Sequence, residues 1–134
     1  MEVNNTFGPI DIAISGLRAH KKSIEAISSN VANARTTDAG KGEPYRRLEA
    51  IFKTEGDGIS GVELDEIKAD NSDFQSIFNP AHPDADENGY VLMPNVNLPA
   101  ELINLDIATR AYQANAAVLK RYQQMVDTTL ELLR

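Results

Sequence analysis

The sequence predicts a mainly α-helical protein with a small β part. Long N- and C-terminal helices pair as an antiparallel coiled coil, and a short β-hairpin and irregular segment lies between them. Three observations predict this. First, Ile10, Leu17, Ile24 and Val31 fall seven apart near the start, and Leu98, Leu105, Tyr112, Leu119, Val126 and Leu133 do so at the end. That is the period of a helix laying one narrow seam on a partner helix. Second, the residues between carry turn chemistry and short alternating runs. Third, aromatic content is 6% and Trp is absent, so the core is built of Leu, Ile, Val and Ala, which suits helix-on-helix packing. The chain divides into an N-terminal helical segment (1–35), an acidic middle (36–97) and a C-terminal helical segment (98–134).

The first helix is predicted from Pro9 to about Ala32. Pro fits a first turn because the missing amide has no helical partner there. Gly16 costs about 1 kcal/mol relative to Ala, which suggests close approach by another backbone. Thr36 to Pro44 is loop chemistry, rich in Thr, Asp and Gly. Tyr45–Lys53 reads as a strand, Gly56-Asp57-Gly58 as a turn, and Val62–Ile67 as a second strand with a bulge. Phe74, Ile77 and Phe78 are apolar anchors in an irregular stretch. Asn79-Pro80-Ala81-His82-Pro83 excludes helix interior, and Gly89–Met93 is a short extended piece. The last helix is predicted from Pro99 to Arg134, about 54 Å at 1.5 Å per residue. Ile12, Ile103, Ile107, Met125 and Leu132 fall off the main seams. An isolated helix pair leaves such side chains wet, each forgoing roughly 1.5–3 kcal/mol, so the ends are expected to order fully only against other subunits.

Net charge is −7 and unevenly placed. Residues 36–97 carry 13 acidic and 5 basic side chains, and the flanks together sum to +1. An acidic middle argues against nucleic acid or an anionic membrane as partner. No run approaches the roughly 20 apolar residues of a membrane span, and Glu2 and Asp11 stand where a secretory leader needs a basic and then an apolar region.

Chemistry-bearing motifs are few. Cysteine is absent, which excludes thiolate metal sites and Cys nucleophiles. Asp84-Ala85-Asp86-Glu87-Asn88-Gly89 matches the opening of a calcium loop. However, the position for the bidentate Glu is Asn95, and no helix leads in. A compact turn built by side-chain-to-backbone bonds is the better reading. His20 and His82 have no metal-ligand spacing to a partner, and no nucleophile elbow or phosphate loop is present. No enzyme activity and no cofactor is expected. Asn30, Asn33 and Asn115 sit on or at the end of the predicted helices. The plain reading makes Asn33 a helix cap and leaves the others in solvent. The sharper reading has them bonding across helix contacts to fix register.

The same residues carry a resemblance. Ser28-Ser29-Asn30-Val31-Ala32-Asn33-Ala34-Arg35-Thr36-Thr37 resembles the N-terminal signature of bacterial flagellar rod and hook axial proteins, and Glu43-Pro44-Tyr45-Arg46-Arg47 follows as in one branch. Asn79 to Val91 with Met93-Pro94-Asn95-Val96 is similar to a stretch typical of the proximal-rod branch, and Arg110-Ala111-Tyr112-Gln113-Ala114-Asn115 resembles a motif of the family's C-terminal helix. One departure is Asp73, where the family commonly has Pro between Ser and Phe. The resemblance implies a structural rod subunit of the flagellar basal body in the periplasmic space. It is exported by the flagellar type III apparatus without a cleaved signal and assembles with other rod proteins and copies of itself into a helical shaft that transmits torque. The interface is expected at Ile10, Leu17, Ile24, Asn30, Val31 and Asn33 of the first helix, and at Leu105, Arg110, Tyr112, Asn115, Leu119, Val126 and Leu133 of the last. The competing reading is a coiled-coil adaptor that binds one partner helix.

Overall fold

A computed structural model describes residues 8–55 and 61–134. The expected turn at Gly56-Asp57-Gly58 and the leader reading at Glu2 lie outside them. Helix α1 spans Pro9–Ala32. Gly8 precedes it, and its N–H donates to Asp11 Oδ2 at 3.2 Å, placing a carboxylate on the positive end of the helix. Asn33 closes the other end. Its backbone N–H and its side-chain amide both donate to the Ser29 carbonyl, at 3.0 and 2.9 Å, so one carbonyl of the last turn is satisfied twice.

Strands β1 (Leu48–Glu55) and β2 (Gly61–Ala69) pair antiparallel. The register steps from Ile51↔Glu66 to Phe52↔Leu64, so Asp65 is the extra residue of a bulge. The sequence pattern starts the first strand at Tyr45, but pairing begins only at Leu48. The amides before it are engaged elsewhere: Tyr45 N–H donates to the Thr36 carbonyl at 3.0 Å and Arg47 N–H to Asn95 Oδ1 at 2.8 Å.

A correction concerns Phe74–Phe78, read from sequence as irregular. Gln75–Phe78 forms β3, paired antiparallel with β4 (Tyr90–Met93). The signal was hidden because the strand is four residues long and its partner stands beyond a loop that carries both prolines. Gly89 enters β4 at φ +82°, and a Cβ there would lie 3.0 Å from Phe78 and Pro80, so the turn requires glycine. Helix α2 spans Leu98–Leu132. Asn97 caps it by accepting the Ala100 N–H at 3.1 Å.

Helix α1 packs on α2 along one side and on the β1–β2 hairpin along another, whereas β3–β4 touches no other helix or strand among the described residues. As α1 advances from Gly16 to Asn30, α2 recedes from Asn115 to Glu101. Asn115 lies against Gly16, and Asn30 bonds Glu101. Small side chains make this contact close. Ala13, Ser15, Ala19 and Ala26 of α1 and Ala108 of α2 are buried. Few large apolar side chains are.

Candidate assembly interface

The interior of the molecule is organised by one amide. Asn30 is fully buried and uses its whole bonding capacity. Its Nδ2 donates to the Leu48 carbonyl at 2.8 Å and to Glu101 Oε2 at 3.0 Å. Its Oδ1 accepts from Leu48 N–H at 2.7 Å and Tyr45 O–H at 3.0 Å. The side chain thus mimics a strand partner for Leu48 and ties α1 to β1 and α2 at one point. Glu101, 1% exposed, takes the Arg47 Nε–H on its other oxygen at 2.5 Å. A charge at such depth survives only when paired and fully bonded. Donation to Glu101 holds the Arg47 guanidinium above its ordinary value, with burial opposing and the charges of Glu101, Glu49 and Asp70 adding. Arg47 also reaches Asp70 at 3.5 Å. Bonds from the Ser72 N–H and hydroxyl, with Arg47 adding, hold the Asp70 carboxyl below its ordinary value. Asn95 completes the cluster, donating to the Asp70 carbonyl at 2.9 Å and to Ser72 Oγ at 3.0 Å. Ser15 performs a similar task nearer the start of α1, accepting the Val62 N–H of β2 at 3.0 Å.

The expected interface residues fall in three groups. Asn30 is buried in the network just described. Ile10, Leu17, Ile24, Val31 and Asn33 of α1 and Leu105, Asn115 and Leu119 of α2 are half-buried. Tyr112, Val126 and Leu133 are exposed, as is Arg110, which pairs with Asp106 one turn back at 2.9 Å. The helix contact does not rest on the large apolar seam alone. A small and polar row runs beside it, with Gly16, Ser23 and Asn30 on α1 and Glu101, Ala108 and Asn115 on α2, also seven apart. Gly16 meets Asn115, Asn30 bonds Glu101, and Asn30, Glu101 and Ala108 are buried. The expected interface set leaves out Glu101, Arg47 and Tyr45. A Glu in a first helical turn reads as a surface residue serving the helix dipole. The available signal was the small and polar heptad row itself, running parallel to the apolar one.

Other flagged residues are accounted for locally. Asp86 Oδ1 accepts the N–H groups of Asn88 and Tyr90 at 2.9 and 2.8 Å, so the acidic motif builds a turn. His82 Nδ1 accepts the Asp84 N–H at 3.1 Å. The His20 ring stands 6.4 Å from that of Phe52, between α1 and the hairpin.

A large apolar surface remains uncovered. Ile103 is 62% exposed, Ile107 60%, Met125 57%, Leu130 60% and Leu132 83%. Accessible surface totals 9789 Å², against about 6,900 Å² for a compact monomer of this mass. At about 100° per residue, Ile103, Ile107, Ala114, Val118, Met125 and Leu132 fall within about 60° of one another, forming a second stripe on a different face of α2, well round the helix from the expected seam. An uncovered apolar surface of this extent marks a contact site, and no helix among the described residues is long and apolar enough to cross a membrane.

Comparison with known proteins agrees. The family described as "Flagella basal body rod protein" matches residues 10–39, and that described as "Flagellar basal body rod FlgEFG protein C-terminal" matches residues 87–132. The flagellar basal-body rod protein FlgC of Agrobacterium fabrum is 40% identical over 127 residues, covering 92% of this chain and 91% of that protein. FlgC of Salmonella typhimurium is 37% identical over 125 residues, covering 91% and 93%. FlgC of Bacillus subtilis is 32% identical over 145 residues, covering 94% and 97%. With buried small-residue rows, uncovered apolar stripes and relatives matched along nearly their whole length, the chain belongs to the FlgC family of flagellar basal-body rod proteins.

Proposed function

We propose that this structural rod subunit works by packing its terminal helices, as an antiparallel coiled coil, into the helices of neighbouring rod proteins and of its own copies. The observation that carries this is the pair of apolar stripes on α2 that α1 leaves open, with Leu132 and Leu133 the most exposed. Contacts of this kind are heterologous. Repeated without closing, they generate a helical shaft, and torque passes through packed helices with no catalytic step. Residues 36–97 form the acidic middle region that faces outward or toward adjacent rod proteins, and the two helical segments form the shaft core. The expected interface residues, from Ile10 to Val31 on α1 and from Leu105 to Leu133 on α2, are the contact positions. The subunit reaches the periplasm through the flagellar type III export apparatus, without removal of a leader.

Amide hydrogen exchange tests the reading. In the purified chain at low concentration, amides of α2 beyond Tyr122 should exchange fast and become protected on assembly. Full protection of both helices to their ends in a monomer or closed dimer would sink the proposal and favour an adaptor that binds one partner helix.

A further inference from the structure

The β3–β4 hairpin presents one uncovered face. Phe78 is 62% exposed, Leu92 51% and Tyr90 46%, and the Phe78 and Tyr90 rings meet edge-on at 5.2 Å between centroids. Beside it opens a cleft of about 280 Å³ lined by Tyr90 and Leu92 and by the carboxylates of Asp38, Asp84 and Asp86, with no basic side chain. Each carboxylate has one oxygen engaged locally. Asp38 Oδ1 holds the N–H groups of Gly40 and Gly42, Asp84 Oδ2 the Thr37 hydroxyl, and Asp86 Oδ1 two backbone amides. Their second oxygens remain for a ligand. No three such groups among the described residues converge closely enough to hold a metal ion. The chemistry therefore suits an extended cation with apolar flanks, and above all a guanidinium, which pairs with carboxylates and lies on aromatic faces.

The chain carries such an element. On the second stripe of α2, Arg121 falls between Val118 and Met125, one turn on either side. All three are exposed, and among the described residues Arg121 joins no ion pair. We propose that the acidic cleft of β3–β4 receives the Val118–Arg121–Met125 face of α2 from a neighbouring copy of this chain. The face cannot come from the same chain, and the matching element on a second copy supplies it. The hairpin lies just before the start of α2 in the chain, and Arg121 is about 35 Å along the helix axis from that start. The contact is head-to-tail, so it repeats from copy to copy. It rests on the rod-subunit reading, and it joins the helical core of one subunit to the acidic middle of the next.

The absence of cysteine makes the test direct. Two differently tagged copies, one Leu92→Cys and the other Met125→Cys, are expressed together with the unaltered chain in a strain deleted for this gene. Basal bodies from motile cells are oxidised and the tags examined. A disulfide joining the two tags is expected. Adding Arg121→Glu to the Met125→Cys copy should lower its yield about five-fold, the scale of one exposed ion pair. Motile cells with no cross-tag disulfide, or a yield indifferent to Arg121→Glu, would overturn the proposal. Failure of the unaltered chain to restore motility counts instead against the rod reading.

Discussion

Asn30 shows how much one side chain can determine. Its carboxamide supplies a donor and an acceptor to Leu48 and a second donor to Glu101. Asn30→Ala would leave those groups buried without partners, each at about 1–3 kcal/mol. A loss of at least about 3 kcal/mol is expected in urea unfolding. Asn30→Asp should be worse at neutral pH, since it sets a second carboxylate against Glu101. Asp70 gives a pH signature. Its carboxyl is held below the ordinary 3.8 by Ser72 and Arg47, so its ionised form stabilises the fold. That contribution is present at neutral pH and is lost as pH falls below the ordinary value toward the folded-state value. Asp70→Asn should therefore flatten the decline of melting temperature in that acidic window. An unchanged slope would show that Asp70 does not couple to folding. Asn30 was legible in the sequence as a register residue only as one of two readings, because a lone Asn near a helix end serves equally well in solvent. What decides between them is Leu48 and Glu101, which are distant in the chain.

At the scale of elements, period and punctuation were informative where contacts are local. The helix expected from Pro9 to Ala32 is the one observed, since Pro at its start and Asn33 at its end act within one turn. The bulge in β2 was visible as a break in alternation. Hidden features were those set by partners far along the chain: the late start of β1, dictated by Thr36 and Asn95, and the pairing of β3 with β4. Gly16 reads from the sequence as leaving room for another backbone; what fills that room is a side chain, the amide of Asn115. A Cβ there would stand 2.7 Å from Asn115 Nδ2 and 3.1 Å from its Cγ. Gly16→Ala should gain about 1 kcal/mol of helix propensity and lose more by driving its Cβ into the packed Asn115 amide, for a net loss in thermal stability. Gly16→Ala with Asn115→Ala should recover that loss and exceed the parent. A stabilised single variant would mean that the helices separate there at no cost.

Considered whole, the molecule is thin. Val91 and Ile27 are its only large apolar side chains buried among the described residues, and the helix contact consists mostly of Ala, Ser and Gly. Small residues bring backbones close but remove little apolar area from water, so stability of the free chain leans on the Asn30–Glu101–Arg47 network while the Leu and Ile rows wait at the flanks. The split explains why the heptads were legible and their use was not. A seven-residue apolar repeat specifies that a face will be covered, but the chain itself covers only the smaller row beside it. Leu119 tests this division. It is half-buried on the seam of α2, away from the hairpin and the polar network. Leu119→Asp places a charge where a neighbouring helix must pack and so costs several kcal/mol in the assembled state through desolvation, yet little in the free chain, where the site is still reached by water. The variant should restore no motility to a deletion strain. In the purified chain, β1–β2 and β3–β4 should keep parent-like amide protection. Motility like the parent's would show that this seam does not carry the subunit contact, whereas loss of hairpin protection would mean that Leu119 belongs to the fold of the monomer.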